Sequence, residues 1–130
     1  MQVRVARPTD KLDEVVMFYQ NALGLPVIGQ FQGHAGYSGV MLEIPGTQMH
    51  LEFTHADQGS PCPAPTKDNL LVLYFADHAN YLKAIHRMEL KGHSAVDPEN
   101  PYWLNKSYTF EDPDGWRVVL NDGAPFGLPR

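Results

Sequence analysis

The chain contains the stretch Gln48-Met49-His50-Leu51-Glu52-Phe53-Thr54, in which polar and apolar side chains alternate strictly. A period of two is typical of a β-strand that buries one of its faces. Met49, Leu51 and Phe53 are therefore predicted to face a core, and His50 and Glu52 to lie on the opposite face. Carboxylates that face a half-apolar cleft are concentrated at functional sites, so Glu52 is the first candidate for a functional residue.

The residues before this strand predict a strand, a helix and two further strands. Residues 2–7 alternate, and residues 12–23 have the apolar spacing of an amphipathic helix. The predicted helix has Asp10 as its N-cap and Gly24 as its stop. The predicted buried stripe consists of Leu12, Val15, Val16, Tyr19 and Leu23. Strands are predicted over residues 27–32, 37–44 and 48–54, so the first half has the order βαβββ.

The same order is predicted again after residues 56–68, a segment rich in Pro, Gly and Ser. A strand is expected over residues 70–75 and a helix over 80–91. Further strands are expected around residues 93–96, 106–111 and 117–121. One sheet with one helix leaves a sheet face bare, so the two halves are expected to bury their faces together. The sequence therefore predicts an α+β fold in which two βαβββ modules form a curved-sheet cleft with the helices outside. The expected organisation is a single domain over residues 1–130, made of a module over 1–55, a linker over 56–68 and a module over 69–124.

The composition limits the classes of partner. The chain has 130 residues and a net charge of −5, without a basic cluster, which argues against a nucleic-acid partner. No apolar run approaches the roughly 20 residues that span a membrane. The single cysteine, Cys62, cannot form an internal disulfide, and we expect a cytoplasmic protein.

Three stretches carry a resemblance to a known superfamily. They are Phe18-Tyr19 with Ala22-Leu23-Gly24-Leu25, then His50-Leu51-Glu52-Phe53-Thr54-His55, and Phe110-Glu111-Asp112-Pro113-Asp114-Gly115-Trp116. Together with the repeated element order, they make the chain resemble the vicinal oxygen chelate superfamily. This superfamily includes glyoxalase I, fosfomycin-resistance and bleomycin-resistance proteins and extradiol dioxygenases. The start of the chain, residues 4–9, is similar to that of small bacterial proteins of the YycE type.

The resemblance implies a possible metal site. In metal-dependent members of the superfamily, side chains from the first, fourth, fifth and eighth strands hold one divalent ion. The corresponding positions here are Gln2, Glu52, Asn69 and Val119. Two strong ligands are therefore missing, because an amide replaces a histidine and a valine replaces a carboxylate. His50 points to the same side as Glu52 and could supply an imidazole in a rebuilt site.

Several further side chains are candidate ligand-binding residues. The inward-facing set is predicted to include Leu71 and Leu73 on the strand over residues 70–75. The candidate ligand-binding residues are Arg4, His50, Asn69, Arg117, Trp116 and Tyr108. Structural roles remain open for some of them: Arg4 and Glu52 could pair across adjacent strands, and His50 could be a hydrogen-bonded filler.

Three functions are considered on this basis. The first is a metal-independent protein that binds a small molecule and needs no cofactor, similar to bleomycin-resistance proteins that sequester their ligand. The alternative is a glyoxalase-like lyase or isomerase with Glu52 as its catalytic base and a divalent metal (Zn, Ni, Mn or Fe) held by Gln2, Glu52 and His50. A third possibility is an interaction module without a ligand. A homodimer is expected in each case, because superfamily members often dimerise.

Overall fold

The computed structural model describes residues 1–125. Contacts divide the chain into two compact units, of which the first is Met1–Pro63 and the second begins at Ala64. Among the described residues, no helix is both long and apolar enough to cross a lipid bilayer.

The first unit has the predicted order of elements. Its elements are β1 (Val3–Pro8), α1 (Leu12–Val16), a π-helical segment (Met17–Ala22), β2 (Val27–His34), β3 (Tyr37–Glu43) and β4 (Met49–Ala56). The strands form one sheet in the order β1-β4-β3-β2. β1 runs parallel to β4, and the other neighbours are antiparallel.

The second unit has a three-stranded sheet and one long helix. Its elements are β5 (Leu70–Phe75), α2 (His78–Leu90), a 3₁₀ turn (Pro101–Leu104), β6 (Ser107–Glu111) and β7 (Arg117–Asp122). The strand order is β5-β7-β6, with β5 parallel to β7 and β6 antiparallel to it.

The strand predicted around residues 93–96 is wrong. Only Val96 pairs with the sheet, through an isolated bridge to Thr109. The two apolar residues of this stretch, Ala95 and Val96, are adjacent. They do not alternate with polar residues, so they cannot present one apolar face along a ladder.

The start of the first helix also differs from the prediction. Asp10 is not the N-cap, since the helix begins after Lys11, and the Asp10 carboxylate accepts a hydrogen bond from the backbone N–H of Ser60. Thr9 Oγ1 instead accepts from the N–H of Lys11 at 2.9 Å. The helix continues with π-helical spacing, with Leu23 N donating to the carbonyl of Phe18.

The alternating apolar residues of β4 contribute to the core of the first unit, as predicted. Leu51 and Phe53 are buried, together with Leu42 of β3. The ring of Phe53 packs against Tyr19 of the π-helical segment, with centroids 4.6 Å apart. This packing fixes the helical side of the sheet and leaves His50 and Glu52 on the other side.

The predicted facing of β5 is wrong by one residue. Leu70 and Val72 are in register with Arg117 and Val119 of β7, whereas Leu71 pairs with Val118 and therefore faces the opposite way. Leu73 shares that opposite side, which is the face that α2 covers. All six residues of β5 are apolar or aromatic, so the sequence contains no alternation from which to read the two faces.

At Gly39 of β3, a side chain of the neighbouring strand β2 lies close to the backbone on the polar side of the first sheet. A Cβ at this position would lie 2.6 Å from the ring of Phe31, its partner on β2. A Cβ at Gly29 would instead lie 2.8 Å from the terminal methyl of Met41, which can rotate away. The Phe31 ring therefore rests on the bare backbone of Gly39.

We expect Gly39→Ala to lower the free energy of unfolding by about 1–3 kcal/mol, because the added methyl displaces a ring between two strands. Gly29→Ala is the matched control and should cost less, since only a flexible methionine tip must move. Urea denaturation of both variants measures the difference. Equal losses would show that the Phe31 ring does not constrain Gly39.

Tyr81 gives the second unit a pH-dependent stability. Burial raises the pKa of Tyr81 above its ordinary value of 10.0, and the nearby Tyr108 and Asp122 raise it further. The unfolded chain therefore releases this proton at lower pH than the folded chain does. Stability must then fall as the pH rises above about 10.

We expect the free energy of unfolding to fall less steeply with pH above 10 in Tyr81→Phe than in the parent chain. Tyr102→Phe is the control, because the Tyr102 side chain is exposed. Urea denaturation at a series of alkaline pH values provides the measurement. A slope that is unchanged in Tyr81→Phe would contradict the assignment.

Candidate functional site

The parallel pairing of β1 and β4 brings an arginine and a glutamate together on the polar side of the first sheet. Arg4 is in register with His50, and Ala6 with Glu52. Arg4 Nη1 lies 4.0 Å from Glu52 Oε2, with the glutamate side chain 16% exposed and the arginine side chain 48% exposed. The ion pair that the sequence left open is present at the outer limit of the salt-bridge distance, and its arginine is accessible to solvent.

His50 lies on the same side and is half-buried. Within residues 1–125, its ring makes no hydrogen bond and no ion pair. The interpretation of His50 as a hydrogen-bonded filler is therefore not supported. Both ring nitrogens remain available to a ligand, one as donor and one as acceptor in the neutral form. Gln2 is exposed and precedes β1, where Val3 N donates to the carbonyl of Gln48.

The residues at the four metal positions do not fit a divalent ion. In the described part of the chain, no group of three or more His, Cys, Asp or Glu side chains is placed to hold a metal. Glu52 faces a guanidinium, and the apolar side chain of Val119 is fully buried. Asn69 Oδ1 accepts a hydrogen bond from Thr66 Oγ1 at 2.6 Å. The donor set has one carboxylate, one imidazole and amides, which is weak for a transition metal.

A second polar cluster lies on the β7 face that carries Arg117 and Val119. Arg117 is only 5% exposed. Its Nε donates to Glu111 Oε2 at 3.1 Å, and its Nη1 donates to the carbonyl of Asp97 at 3.0 Å. Thr109 of β6, in register with Val119, shares this face. Arg117 therefore links the sheet to the segment that precedes the 3₁₀ turn.

The remaining candidate residues of the second unit lie apart from this cluster. Tyr108 is half-exposed and on the opposite face of the sheet, where α2 packs. Trp116 is half-buried, and its backbone N–H donates to Asp112 Oδ1 in the turn before β7. The structure therefore brings neither aromatic residue to Arg117 on the sheet face.

Trp103, which is not among the candidate ligand-binding residues predicted from the sequence, lines a space together with Arg117. Trp103 belongs to the 3₁₀ turn and lines a narrow space together with Thr109, Arg117 and Val119. The available signal was Asn100-Pro101, an N-cap followed by a proline at the first helical position, which predicts a short helical turn. The sequence does not say onto which surface such a turn folds.

Asp10, His55 and Ser60 also lie together, but they are not arranged for nucleophilic catalysis. His55 Nδ1 is 3.6 Å from Asp10 Oδ1 and 3.5 Å from Ser60 Oγ, so both groups approach the same ring nitrogen. A catalytic triad needs them on opposite nitrogens. Ser60 Oγ and His55 Nδ1 both donate to the carbonyl of Thr9. The cluster thus ties the segment after β4 to the loop before α1.

Comparison with known proteins places this geometry in a family. The model of the YycE-like N-terminal domain matches residues 3–54, and that of the YycE-like C-terminal domain matches residues 68–122. The chain is 46% identical over 119 residues to protein YycE of Bacillus subtilis (strain 168), which covers 92% of this chain and 86% of that protein. The crystal structure of YycE from Bacillus subtilis matches with a TM-score of 0.89 and 43% identity, over 97% of this chain and 92% of that chain.

More distant structures share the fold. Glyoxalase I of Leishmania major matches with a TM-score of 0.71 and 17% identity, over 94% of this chain and 86% of its own. An antibiotic-binding protein from Streptomyces sp. CB03234 matches with a TM-score of 0.66 and 20% identity, over 95% of this chain and 96% of its own. The predicted α+β fold with two βαβββ-like modules, as in glyoxalase and bleomycin-resistance proteins, is confirmed.

Because Arg117 is buried, we expect substitutions of Arg117 and of its partner Glu111 to lower the free energy of unfolding by different amounts. Glu111→Gln keeps a hydrogen-bond acceptor but leaves the buried guanidinium without its counter-charge, whereas Arg117→Met removes the buried charge itself. We expect Glu111→Gln to cost more free energy of unfolding, about 2–4 kcal/mol, than Arg117→Met. Urea denaturation of both single variants and the double variant tests this order. A larger loss for Arg117→Met would contradict it.

Proposed function

We propose that the chain, which belongs to the YycE-like family of the glyoxalase and bleomycin-resistance superfamily, binds a small molecule without a metal ion. The proposal is that it sequesters its ligand, as bleomycin-resistance proteins do. The observation that carries it is the Arg4–Glu52 pair, which puts a guanidinium next to the one carboxylate among the four metal positions.

The polar side of the first sheet has the groups that direct ligand binding needs. Arg4 offers N–H donors from an accessible position, and Glu52 is a largely buried acceptor. His50 adds a ring that is half-buried and makes no hydrogen bond within residues 1–125. A few such polar groups on a mostly apolar surface are typical of small-molecule sites.

The same pair disfavours a divalent ion at Glu52. A guanidinium within 4.0 Å of the carboxylate supplies a positive charge that any bound cation would face. At a partly buried position this repulsion is on the order of several kcal/mol for each unit of charge. The proposal therefore gives Arg4 the charge-balancing role that a metal has in metal-dependent members of the superfamily.

The distant relatives illustrate the two candidate functions. One is an antibiotic-binding protein and the other is a glyoxalase I. At 20% and 17% identity they share the fold alone, so the choice rests on the side chains of this chain. The weak donor set at Gln2, Glu52, Asn69 and Val119 supports binding over metal-dependent lyase or isomerase chemistry.

We expect no divalent metal to stabilise the protein, whereas a ligand will. Thermal unfolding is followed with Zn²⁺, Ni²⁺, Mn²⁺, Co²⁺ or Fe²⁺, and with a panel of aromatic and cationic compounds that includes bleomycin. A ligand at about 100 times its Kd adds about 2.7 kcal/mol, which is a shift of several degrees. Titration calorimetry of the strongest compound then measures the affinities of Glu52→Gln and of Glu14→Gln, an exposed control on α1.

The expected result is a weaker ligand affinity in Glu52→Gln, an unchanged affinity in Glu14→Gln and no response to metals in any form. A shift of several degrees with one metal that Glu52→Gln abolishes would contradict the proposal. That result would support a site rebuilt from His50, Glu52 and Gln2. The homodimer and the cytoplasmic location expected from the sequence stay predictions.

A further inference from the structure

Residues 97–105 cover the β7 face that carries Arg117. We call this segment the flap. It contains the 3₁₀ turn Pro101–Leu104, in which Tyr102 and Leu104 are exposed and Trp103 is half-buried. Trp103 and Pro98 of the flap enclose a space with Thr109, Arg117 and Val119 of the sheet, and this space is too small for a water molecule.

Thr109 has a buried hydroxyl without a partner beneath the flap. The residue is 2% exposed, and within residues 1–125 its Oγ1 makes no hydrogen bond. An unsatisfied buried hydroxyl costs stability, and nearly all such groups in folded proteins have a partner. Because no water fits beneath the flap, the hydroxyl can gain a partner only when the flap opens and another group enters.

The flap is held by hydrogen bonds at its two ends. Before it, Val96 N donates to the carbonyl of Thr109 at 2.8 Å. After it, the carbonyl of Lys106 accepts from Asp122 N at 2.8 Å, and Lys106 has a left-handed backbone with φ of 57°. At its first residue, Arg117 Nη1 donates to the carbonyl of Asp97, and at its last, Ser107 Oγ donates to the carbonyl of Asn105 at 3.2 Å. Within residues 1–125, the residues between these two form hydrogen bonds only inside the flap, such as Tyr102 N to Asn100 Oδ1. The middle of the flap therefore has no hydrogen bond to the sheet that would hold it closed.

We propose that the flap opens to admit a ligand whose oxygen accepts hydrogen bonds from Thr109 Oγ1 and Arg117, with its body against Trp103 and Val119. The proposal rests on the small-molecule binding function and names a place and a ligand class for it. Arg117 uses two of its five N–H donors on Glu111 and Asp97, and the others remain for a ligand. Arg117 can only donate, and the Thr109 hydroxyl can donate to the same atom, so the ligand group that they meet together is an acceptor.

The charges around the space favour a neutral ligand. Arg117 is already balanced by Glu111 at 3.1 Å. The other charged side chains that line the space are Lys67, Asp68 and Glu99, which are exposed and therefore screened by solvent. An anion would find the Arg117 charge already balanced, and a cation would meet the buried guanidinium. The ligand class is therefore a neutral molecule with an amide or carbonyl oxygen on a flat apolar body.

The test uses benzamide as the probe on the full ¹⁵N-labelled chain. Benzoate and benzylammonium are its charged counterparts with the same ring. We expect benzamide to shift the Trp103 indole N–H and the backbone amides of Thr109 and Arg117, with Trp116→Phe used to assign the indole signals. Both charged compounds should bind at least tenfold more weakly. Equal or tighter binding of benzoate would overturn the ligand class.

Thr109→Val separates a binding role from a structural one. The valine removes the unpartnered hydroxyl and keeps the shape, so the urea midpoint should rise while benzamide affinity falls about three- to tenfold. Thr109→Ser keeps the hydroxyl and should retain the affinity. A lower urea midpoint for Thr109→Val, or an unchanged benzamide affinity, would overturn the inference.

The place of any chemical-shift changes distinguishes this inference from the proposed function. If a probe shifts only the signals of Arg4, His50 and Glu52, the inference fails and small-molecule binding stands. If neither benzamide nor any compound of the wider panel binds, both fail. Shifts at Trp103, Thr109 and Arg117 support both.

Discussion

The parallel pairing of β1 with β4 is the constraint on which the first unit depends. β4 lies between β1 and β3, so its alternation decides what each side of the sheet presents. Leu51 and Phe53 are buried on the helical side, where the ring of Phe53 packs against Tyr19. A slip of one residue would exchange the two sides, bury Glu52 against the helix and expose Phe53. The core and the polar site are therefore fixed by the same register.

The site that results is defined by charge balance. A carboxylate that is mostly removed from solvent needs a positive partner, and in metal-dependent relatives of this fold a divalent ion takes that role. Here the guanidinium of Arg4 reaches Glu52 from the neighbouring strand. On the second sheet, Arg117 and Glu111 form another balanced pair. Both sheets thus present arginine–glutamate pairs.

The sequence predicted the parts of this arrangement that rest on local periodicity. The alternation from Met49 to Thr54 was enough to place His50 and Glu52 on one side, and the repeated element order was enough for the fold. It failed for β5, because an uninterrupted apolar strand carries no information on facing. It also failed for Asp10, whose carboxylate bonds Ser60, a residue that is distant in the sequence.

The flap shows a second limit on what can be predicted from the sequence. The turn residues Asn100 and Pro101 predict a local bend, but covering Thr109 depends on a long-range contact between Arg117 and the carbonyl of Asp97. Backbone carbonyls are the same at every residue, so such contacts leave no mark in the sequence. An unpartnered buried hydroxyl is likewise visible only when the tertiary structure is known.

In the function that we propose, Arg4 and not a metal balances the charge of Glu52. The most direct test is a crystal structure of protein purified without chelator or histidine tag, with anomalous diffraction measured across the absorption edges of the transition metals. We expect no anomalous peak within coordination distance of Glu52, and an Arg4–Glu52 pair that remains within about 4 Å as a salt bridge. An anomalous peak bound by Glu52 and His50, with Arg4 turned away, would contradict it.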